Sequence, residues 1–337
     1  MTDKRDAHVK VYGAADAPSR GLAGEAVAVL GYGYMGRTAA LNLRDSGVKV
    51  RIGNRDDEYA ARAHAEGFEV VPIATAASDD IVFVLVPDEV IPSVFATEIA
   101  PFLRAGSAVA FASGYGLTFG LVEPPDSVDV LLIAPRMAGE SARARFLRGE
   151  GFWACVGVEA DRSGHAQQRM LGLAEALGVL RAGAVEMSAK QEATLDLFIE
   201  QTVGAVMGQA MMIAFEVARG AGIPPEALVL EMYMSGEMET VFQSFRDTGF
   251  FRASESHGST ALFGGITRTL EMDHAAMAES FRSVLEDIKS GGFARRFQEE
   301  QRNGYPMLAI ARDMMHRASA ITEAEDHVRS ITPPSPA

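Results

Sequence analysis

The chain has 337 residues, of which 48% are hydrophobic and 23% are charged. That length suits about two domains, and the composition is typical of globular rather than disordered proteins. Its 45 acidic residues outnumber 31 Lys and Arg, and the net charge of −14 disfavours partners such as nucleic acids and anionic membranes. Cys155 is the single cysteine, which excludes a disulfide framework within the chain and a cysteine zinc cluster.

Both ends of the chain, and its longest uncharged stretch, predict a cytoplasmic protein that uses no membrane. The first ten residues, MTDKRDAHVK, lack the apolar core of a signal peptide. The longest stretch without a charge, 105–122, is shorter than the about 20 residues that span a bilayer. We expect residues 1–8 to be loose and the proline-containing tail at 331–337 to be disordered.

The pattern along the chain changes once. Up to about residue 183, helical patterns alternate with short apolar β-rich runs: AVAVLG, VKVRIG, DIVFVLVP, AVAFAS, DVLLIAP and WACVGV. This alternation predicts an α/β fold with a doubly wound parallel sheet covered on both faces. Helical patterns then take over, at 187–220, 225–246, 273–290 and 305–320. We therefore predict two domains, 1–184 and 185–330, with a boundary near the sequence AGAVE at 183–187.

A glycine-rich loop opens the first domain. The strand pattern AVAVL runs directly into six residues that fit G-x-G-x-x-G and precede a helical pattern: Gly31, Tyr32, Gly33, Tyr34, Met35 and Gly36. In a Rossmann domain the first glycine allows a tight turn, the second lets a pyrophosphate approach, and the third lets helix pack on strand. The following helix start offers unpaired N–H groups to the phosphates. The loop predicts dinucleotide binding; the alternative is a turn of purely structural use.

The loop after the next strand pattern, VKVRIG, is where such a domain reads the ribose 2′ position. It contains Asn54, Arg55, Asp56, Asp57 and Glu58. Three consecutive acids repel a 2′-phosphate, and one of them could accept hydrogen bonds from a 2′-hydroxyl. Arg55 argues the other way, and the alternative is a solvated turn whose acids cap the next helix. The balance of charge favours NADH over NADPH as cofactor.

Two carboxylates mark the second domain. Asp196 and Glu200 are four residues apart, which places them on one helix face. The same stripe continues through apolar residues, so we expect the pair to be buried. Two buried carboxylates need a partner, and their spacing suits Mg²⁺; pairing with arginines in a helix interface is the equal alternative. Glu231 lies on the next helical pattern, again among apolar residues.

Several collinear segments resemble short-type ketol-acid reductoisomerase. They include GYGYMGRTAALNLRDSGVKV, VLVPDEV, FASGYGLTFG, KQEATLDLFIEQ, AGIPPEALVLE and STALFG. The resemblance implies a Rossmann domain, a knotted all-helical domain, and a homodimer or higher even oligomer with shared active sites. Enzymes of that family move an alkyl group with two Mg²⁺ ions and then reduce the resulting ketone. Cofactor contacts are implied at Val86, Pro87, Asp88, Ser113 and Gly114.

The resemblance also shows departures at the active site. Asp196 and Glu200 match the family's first metal-binding pair, and Glu231 matches one glutamate of the second pair. Ser113 stands where the family has histidine, and Arg136 where it has lysine.

The other glutamate of the second pair falls on Ser235, or on Glu237 if two residues are inserted; Glu237 would then need a helix bulge to join Glu231. Nearby, Gly258 and Leu262 replace a substrate serine and a glutamate, and His257 is a candidate replacement for the missing histidine. We therefore expect at most one Mg²⁺ site, from Asp196, Glu200 and Glu231.

These departures point to a divergent member of the family. Loss of a metal ligand and of the histidine undermines alkyl migration more than it undermines hydride transfer. We expect an NAD(P)H-dependent reductase of a ketone or imine, in which Ser113 and Arg136 donate hydrogen bonds to the reacting oxygen or nitrogen. The alternatives are an authentic ketol-acid reductoisomerase and a non-catalytic nucleotide-binding dimer.

Overall fold

The computed structural model describes residues 9–22, 24–137, 139–255, 258–317 and 319–332. The expectations for residues 1–8 and for His257 lie outside these residues, as does the tail beyond residue 332. The chain forms two compact units, Met1–Asp196 and Leu197–Ala337. The division falls inside a helix that begins at Ala189, because the first two turns of that helix contact the sheet unit. It lies C-terminal to the boundary expected at 184.

The described part of the first unit contains one nine-stranded sheet, in the order β1-β9-β8-β7-β6-β5-β2-β3-β4. Its strands are β1 Val11–Tyr12, β2 Ala26–Leu30, β3 Lys49–Gly53, β4 Glu69–Val71, β5 Ile81–Val84, β6 Ala108–Phe111, β7 Asp129–Pro135, β8 Ala154–Ala160 and β9 Ala184–Glu186. The six strands from β2 to β7 run parallel, as expected. The predicted parallel sheet is thereby confirmed, and it is extended by strands of mixed direction: β8 is antiparallel to β7, and β1 is antiparallel to β9.

The strand β9 lies across the boundary that was predicted near the sequence AGAVE. The segment AGAVE was predicted to separate two domains, but Ala184–Glu186 pairs in parallel with β8 and in antiparallel fashion with β1. Three residues are too short to show an alternating pattern in the sequence. The sheet unit therefore extends beyond the predicted boundary.

The sheet is covered on both faces. Successive residues of a strand point to opposite faces, and the buried residues form two apolar clusters accordingly. Val27 and Val29 belong to one cluster, and Ala28 and Leu30 to the other. The helices of this unit are α1 Tyr34–Asp45, α2 Glu58–Ala65, α3 Ile73–Ala76, α4 Ile91–Val94, α5 Tyr115–Thr118, α6 Gly139–Leu147, α7 Ala166–Leu177 and the start of α8 Ala189–Ile199. A π-helical turn, Phe95–Ile99, and 3-10 turns at Ala14–Asp16, Ala100–Phe102 and Val179–Arg181 complete it.

The described part of the second unit is helical. Its helices are α9 Ala205–Gly220, α10 Pro225–Val229, α11 Glu237–Thr248, α12 Phe250–Ser254, α13 Ser259–Glu271, α14 His274–Lys289, α15 Gly292–Arg302, α16 Pro306–Arg317 and α17 Ser319–Ile331. Two π-helical turns, Glu200–Gly204 and Leu230–Met234, interrupt it. The helix predicted at 225–246 is broken at Gly236, which has φ +83° and precedes α11.

The second unit leaves much apolar surface uncovered in a single chain. Phe215 and Val229 form its small core with Ala324 and Val328. Large exposed side chains include Val203, Met207, Ile213, Val217, Phe251, Phe263 and Leu270. The run Ala189–Gly220 is apolar and long enough to cross a membrane by length and composition, and 6% of its most apolar window is buried. One such helix is weak support for a membrane span, because an interface helix has the same composition.

Candidate active site

The glycine loop lies at the carboxyl end of β2, between β3 and β5, where the strand order reverses. Gly31 has φ +95°, a left-handed conformation. A Cβ on Gly36 would overlap the carbonyl of Gly31, which shows why helix and strand approach so closely here. Gly33 faces open space and caps α1 without a side-chain bond. Open space and unpaired N–H groups at a helix start form a site for a pyrophosphate.

The predicted ribose loop is bonded to the glycine loop. The backbone N–H of Tyr32 donates to Asn54 Oδ1 at 3.1 Å, whereas the Tyr32 side chain is buried and its hydroxyl bonds Glu66 at 2.5 Å. Asp57 caps α2 by accepting from the backbone N–H of Tyr59 and Ala60. It also accepts from Arg55 Nε at 2.7 Å.

These bonds define the charges of the ribose loop. Arg55 first, and then the backbone N–H groups of α2, hold the pKa of Asp57 below its usual range. The Arg55 guanidinium is thereby paired with an acid of its own loop. Asp56 is exposed. The Asp57 carboxylate of this loop can accept a hydrogen bond from a 2′-hydroxyl. The positive charge of Arg55 is already neutralised by Asp57.

Arg136 is the centre of the charged cluster at the carboxyl end of the sheet. It follows β7, and its guanidinium bonds two carboxylates of α8: Nη2 donates to Glu192 Oε1 at 2.5 Å and Nη1 donates to Asp196 Oδ1 at 2.6 Å. Nε donates to the carbonyl of Ala134 at 3.2 Å. The two arms of one planar group thus fix both acids in a geometry that lysine cannot reproduce.

The end of β6 joins the same cluster through Glu192. The Glu192 side chain is 1% exposed, and its second oxygen accepts the Gly114 N–H at 2.7 Å. A Cβ on Gly114 would overlap the carbonyl of Ala189, so α8 packs directly on this turn. Ser113 is half-buried and its Oγ accepts the Tyr115 N–H at 3.1 Å. Arg136, Asp196 and Gly114 are thus connected through Glu192, and Ser113 directly precedes Gly114. Their roles at the active site stay predictions.

The cluster carries an excess of negative charge. Burial raises the pKa of Glu192, and the bonds from Gly114 and Arg136 oppose that shift. Asp88, in the loop after β5, keeps an exposed surface. Desolvation and the neighbouring carboxylates of Glu89, Glu192 and Asp196 nevertheless raise the pKa of Asp88 to about 6.

The pKa values of two further side chains, Tyr115 and Cys155, are also raised. Burial and Asp88 raise the pKa of Tyr115 to about 12. Cys155 is buried as expected, and burial raises the pKa of its thiol. Both groups therefore stay protonated at neutral pH, and the carboxylates carry the charge of the site.

The expected burial of Asp196 and Glu200 is wrong for the single chain. Asp196 is 42% exposed at its side chain, and Glu200 is exposed on the π turn that begins with it. The expectation failed because the apolar stripe beyond them is also exposed. Glu231 is exposed on the second π turn. Both π turns lie in the second unit, and π turns are frequent at functional sites.

The choice between Ser235 and Glu237 falls at the break in the helix. Ser235 follows the π turn that contains Glu231, and its Oγ accepts the Glu237 N–H at 3.3 Å. Gly236, with its positive φ, then starts a new helix. An insertion of two residues requires an irregularity in the helix, and the break at Gly236 provides one at this point. Which of the two side chains takes the family's place stays a prediction.

The donors around Asp196 in one chain do not fit Mg²⁺. Asp196 already bonds a guanidinium, whose charge repels a divalent cation. Among the described residues, no three His, Cys, Asp or Glu side chains lie close enough to hold a metal ion. The site of at most one Mg²⁺, built from Asp196, Glu200 and Glu231, therefore stays a prediction, and no chemical step is assigned to it.

Glu192 is the site residue that sequence reasoning missed. It lies four residues before Asp196, so it continues the stripe formed by Asp196 and Glu200 in the N-terminal direction. A carboxylate one turn before a candidate acid was the available signal. Its partner Arg136 is 56 residues away, and only the fold brings the two together.

Comparison with known proteins identifies the family. Residues 21–183 match the acetohydroxy acid isomeroreductase NADPH-binding domain, and residues 189–334 match the ketol-acid reductoisomerase C-terminal domain. A ketol-acid reductoisomerase (NADP(+)) of Methanopyrus kandleri is 38% identical over 308 residues, covering 90% of this chain and 93% of that protein. Its counterpart in Pyrobaculum neutrophilum is 37% identical over 303 residues, covering 89% and 92%.

A solved structure gives the same answer. The NADH-preferring ketol-acid reductoisomerase from an uncultured archean superposes with a TM-score of 0.90 at 31% identity, covering 96% of this chain and 99% of that one. Two domain matches, two curated relatives and one structure thus agree over nearly the whole chain. The chain belongs to the ketol-acid reductoisomerase family and is an NAD(P)-dependent oxidoreductase.

Proposed function

We propose that the protein reduces a ketone or an imine with NAD(P)H and does not catalyse alkyl migration. The observation that supports this is the Arg136 guanidinium bonded to Asp196. Migration needs metal ions to polarise a hydroxyketone and to stabilise the alkoxide. A carboxylate neutralised by arginine contributes little to such a metal site, whereas reduction needs no second Lewis acid.

The residues of the cluster supply what a reduction requires. NAD(P)H, when bound, delivers a hydride to the carbonyl or imine carbon. The electron pair of the double bond would then move to oxygen or nitrogen, where positive charge or hydrogen-bond donors stabilise it, and a proton from solvent would complete the alcohol or amine. Arg136 has five N–H donors, three of which are committed to Ala134, Glu192 and Asp196. We assign the stabilisation of the reacting oxygen or nitrogen to the remaining N–H donors of Arg136 and to the Ser113 hydroxyl.

Two assays test the proposal. Purified protein with NADH is offered a panel of ketones and cyclic imines in the presence of EDTA, and separately acetolactate with Mg²⁺. We expect NADH oxidation with at least one member of the panel, unaffected by EDTA, and none with acetolactate. Turnover of acetolactate to dihydroxyisovalerate would contradict the proposal.

Authentic ketol-acid reductoisomerase is the second candidate. It is favoured by the names of the relatives and by the presence of Asp196, Glu200 and Glu231 at the family's metal positions. The acetolactate assay decides between the two activities. Tight NADH binding with no turnover of any compound would instead indicate the non-catalytic dimer.

We further propose that the protein prefers NADH. The ribose loop offers the Asp57 carboxylate and an Arg55 already paired with it, and the structurally similar archaeal enzyme is described as NADH-preferring. Changing Asp57 to Ser removes the charge that repels a 2′-phosphate and releases Arg55, while serine still caps α2. We expect the ratio of NADPH to NADH affinity to rise about tenfold, or about 1.4 kcal/mol.

Fluorescence titration of both cofactors measures that shift. Asp126→Ser is the matched control, because it removes one exposed carboxylate and leaves the loop unchanged. Wild-type protein that binds NADPH ten times more tightly than NADH would overturn the electrostatic interpretation of this loop.

We also propose a cytoplasmic homodimer or higher even oligomer. The exposed apolar side chains of the second unit exceed what a monomer commonly leaves in water, and burial against a second copy would cover them. Sedimentation at micromolar concentration is expected to give at least twice the chain mass of 36.0 kDa. A single monomeric species would contradict this prediction.

A further inference from the structure

Tyr34 has a position that the proposed reaction does not explain. It is the first residue of α1, directly after the glycine loop. Tyr34 is 65% exposed, so packing in the core does not fix the position of its side chain. Its ring nevertheless lies against Gly139, where an added Cβ would overlap the ring atoms. Gly139 has φ +59° and is the first residue of α6, three residues after Arg136.

One face of α1 is attached to α6 along its whole length. Residues 34, 38, 42 and 45 share that face. The Thr38 hydroxyl donates to the Gly139 carbonyl at 2.9 Å in a buried bond. Arg143 donates to Asn42 Oδ1 at 2.8 Å and also bonds Asp45. The helix that begins the pyrophosphate site is thus fixed to the segment that follows Arg136.

We propose that Tyr34 is a positioning residue that transmits cofactor binding to the segment carrying Arg136. A pyrophosphate at the start of α1 contacts the backbone beside Tyr34 and restrains that turn. The ring then restrains Gly139, the first residue of α6, which begins three residues after Arg136. Glycine is required at 139 because both its left-handed backbone and the ring against it exclude a side chain. This inference rests on the proposed function only for its consequence in catalysis.

Hydrogen–deuterium exchange with NADH as the probe tests the proposal without any substrate. In wild type, saturating NADH should slow amide exchange across 139–147 by about tenfold or more. Tyr34→Ala should lose that protection while its NADH Kd changes by less than about threefold. Tyr34→Phe should retain it, because the contact is made by the ring. Leu147→Ala, which truncates a 66% exposed side chain on the same helix, is the matched control.

Two results of the exchange experiment would overturn the proposal about Tyr34. Full protection in Tyr34→Ala at saturating NADH overturns the proposal, and so does protection lost equally in Leu147→Ala. Failure of wild type to bind NADH defeats the proposed function instead. Once a substrate is known, Tyr34→Ala should lower kcat with KM for NADH nearly constant, whereas a purely structural residue would lower thermal stability and leave kcat unchanged.

Discussion

Arg136→Met is expected to lower kcat/KM for the substrate about 1000-fold, equivalent to about 4 kcal/mol of transition-state stabilisation. The change removes the donors proposed to face the reacting oxygen or nitrogen. It also releases Asp196, which Arg136 Nη1 holds at 2.6 Å. NADH affinity should stay within about twofold of wild type, because the glycine loop and the ribose loop contain none of these groups.

Arg136→Met alone also affects folding. It leaves the Glu192 carboxylate, 1% exposed, without its cationic partner, which costs about 3–5 kcal/mol when a buried pair is broken. Adding Glu192→Gln removes the buried charge, and the amide oxygen still accepts the Gly114 N–H. The double variant should therefore recover most of the free energy of unfolding and none of the activity.

Urea unfolding and steady-state kinetics on the two single variants and the double variant complete this cycle. Activity that returns together with stability would show that Arg136 only supports the fold. Arg136→Lys adds a conservative comparison, because lysine keeps the charge but cannot bond both carboxylates at once. We expect it to keep stability better than methionine and to remain impaired in turnover.

The sequence was most informative where one short segment determines its own geometry. The run from Gly31 to Gly36 predicted a turn, a close backbone approach and a helix start, and each is present because local sterics demand it. The structural alternative for the acids of the ribose loop is present at Asp57, which caps α2. Its contact with the ribose stays a prediction.

The direction and the pairing of the strands were harder to predict from the sequence. An apolar run such as WACVGV has the same pattern in a parallel and in an antiparallel strand. A helix between two strands usually signals a parallel crossover, yet α6 separates β7 from the antiparallel β8. The short strands β1 and β9 contain too few residues to be recognised from the sequence. The sheet unit was consequently predicted to be too short.

The charged cluster around Arg136 could be identified only from the folded structure. Arg136 and Glu192 are 56 residues apart in the sequence, and no sequence pattern indicates that they pair with each other. Pairing with arginines in a helix interface was one alternative for Asp196, and the arginine that bonds it comes instead from the end of β7. The π turns at Glu200 and Glu231 were also invisible, because a single extra residue per turn does not disturb an apolar pattern.

Asp196→Asn is expected to reduce turnover by more than tenfold, about 1.4 kcal/mol, and to leave NADH affinity nearly unchanged. Asparagine keeps the size of the side chain but loses the charge that fixes one arm of Arg136. Because Asp196 is 42% exposed, its ion pair contributes only about 0–1 kcal/mol to folding. Glu192 still holds the other arm. The variant should therefore unfold at nearly the same urea concentration as wild type.

Asp126→Asn is the matched control for that variant. It makes the same chemical change in another exposed aspartate–arginine pair, in which Asp126 bonds Arg162 at 3.2 Å. Both variants are to be compared by kcat/KM, by NADH titration and by urea unfolding. Asp196→Asn with more than about a tenth of wild-type activity would mean that the Arg136–Asp196 pair is structural. The reacting group would then have to be placed elsewhere than beside α8.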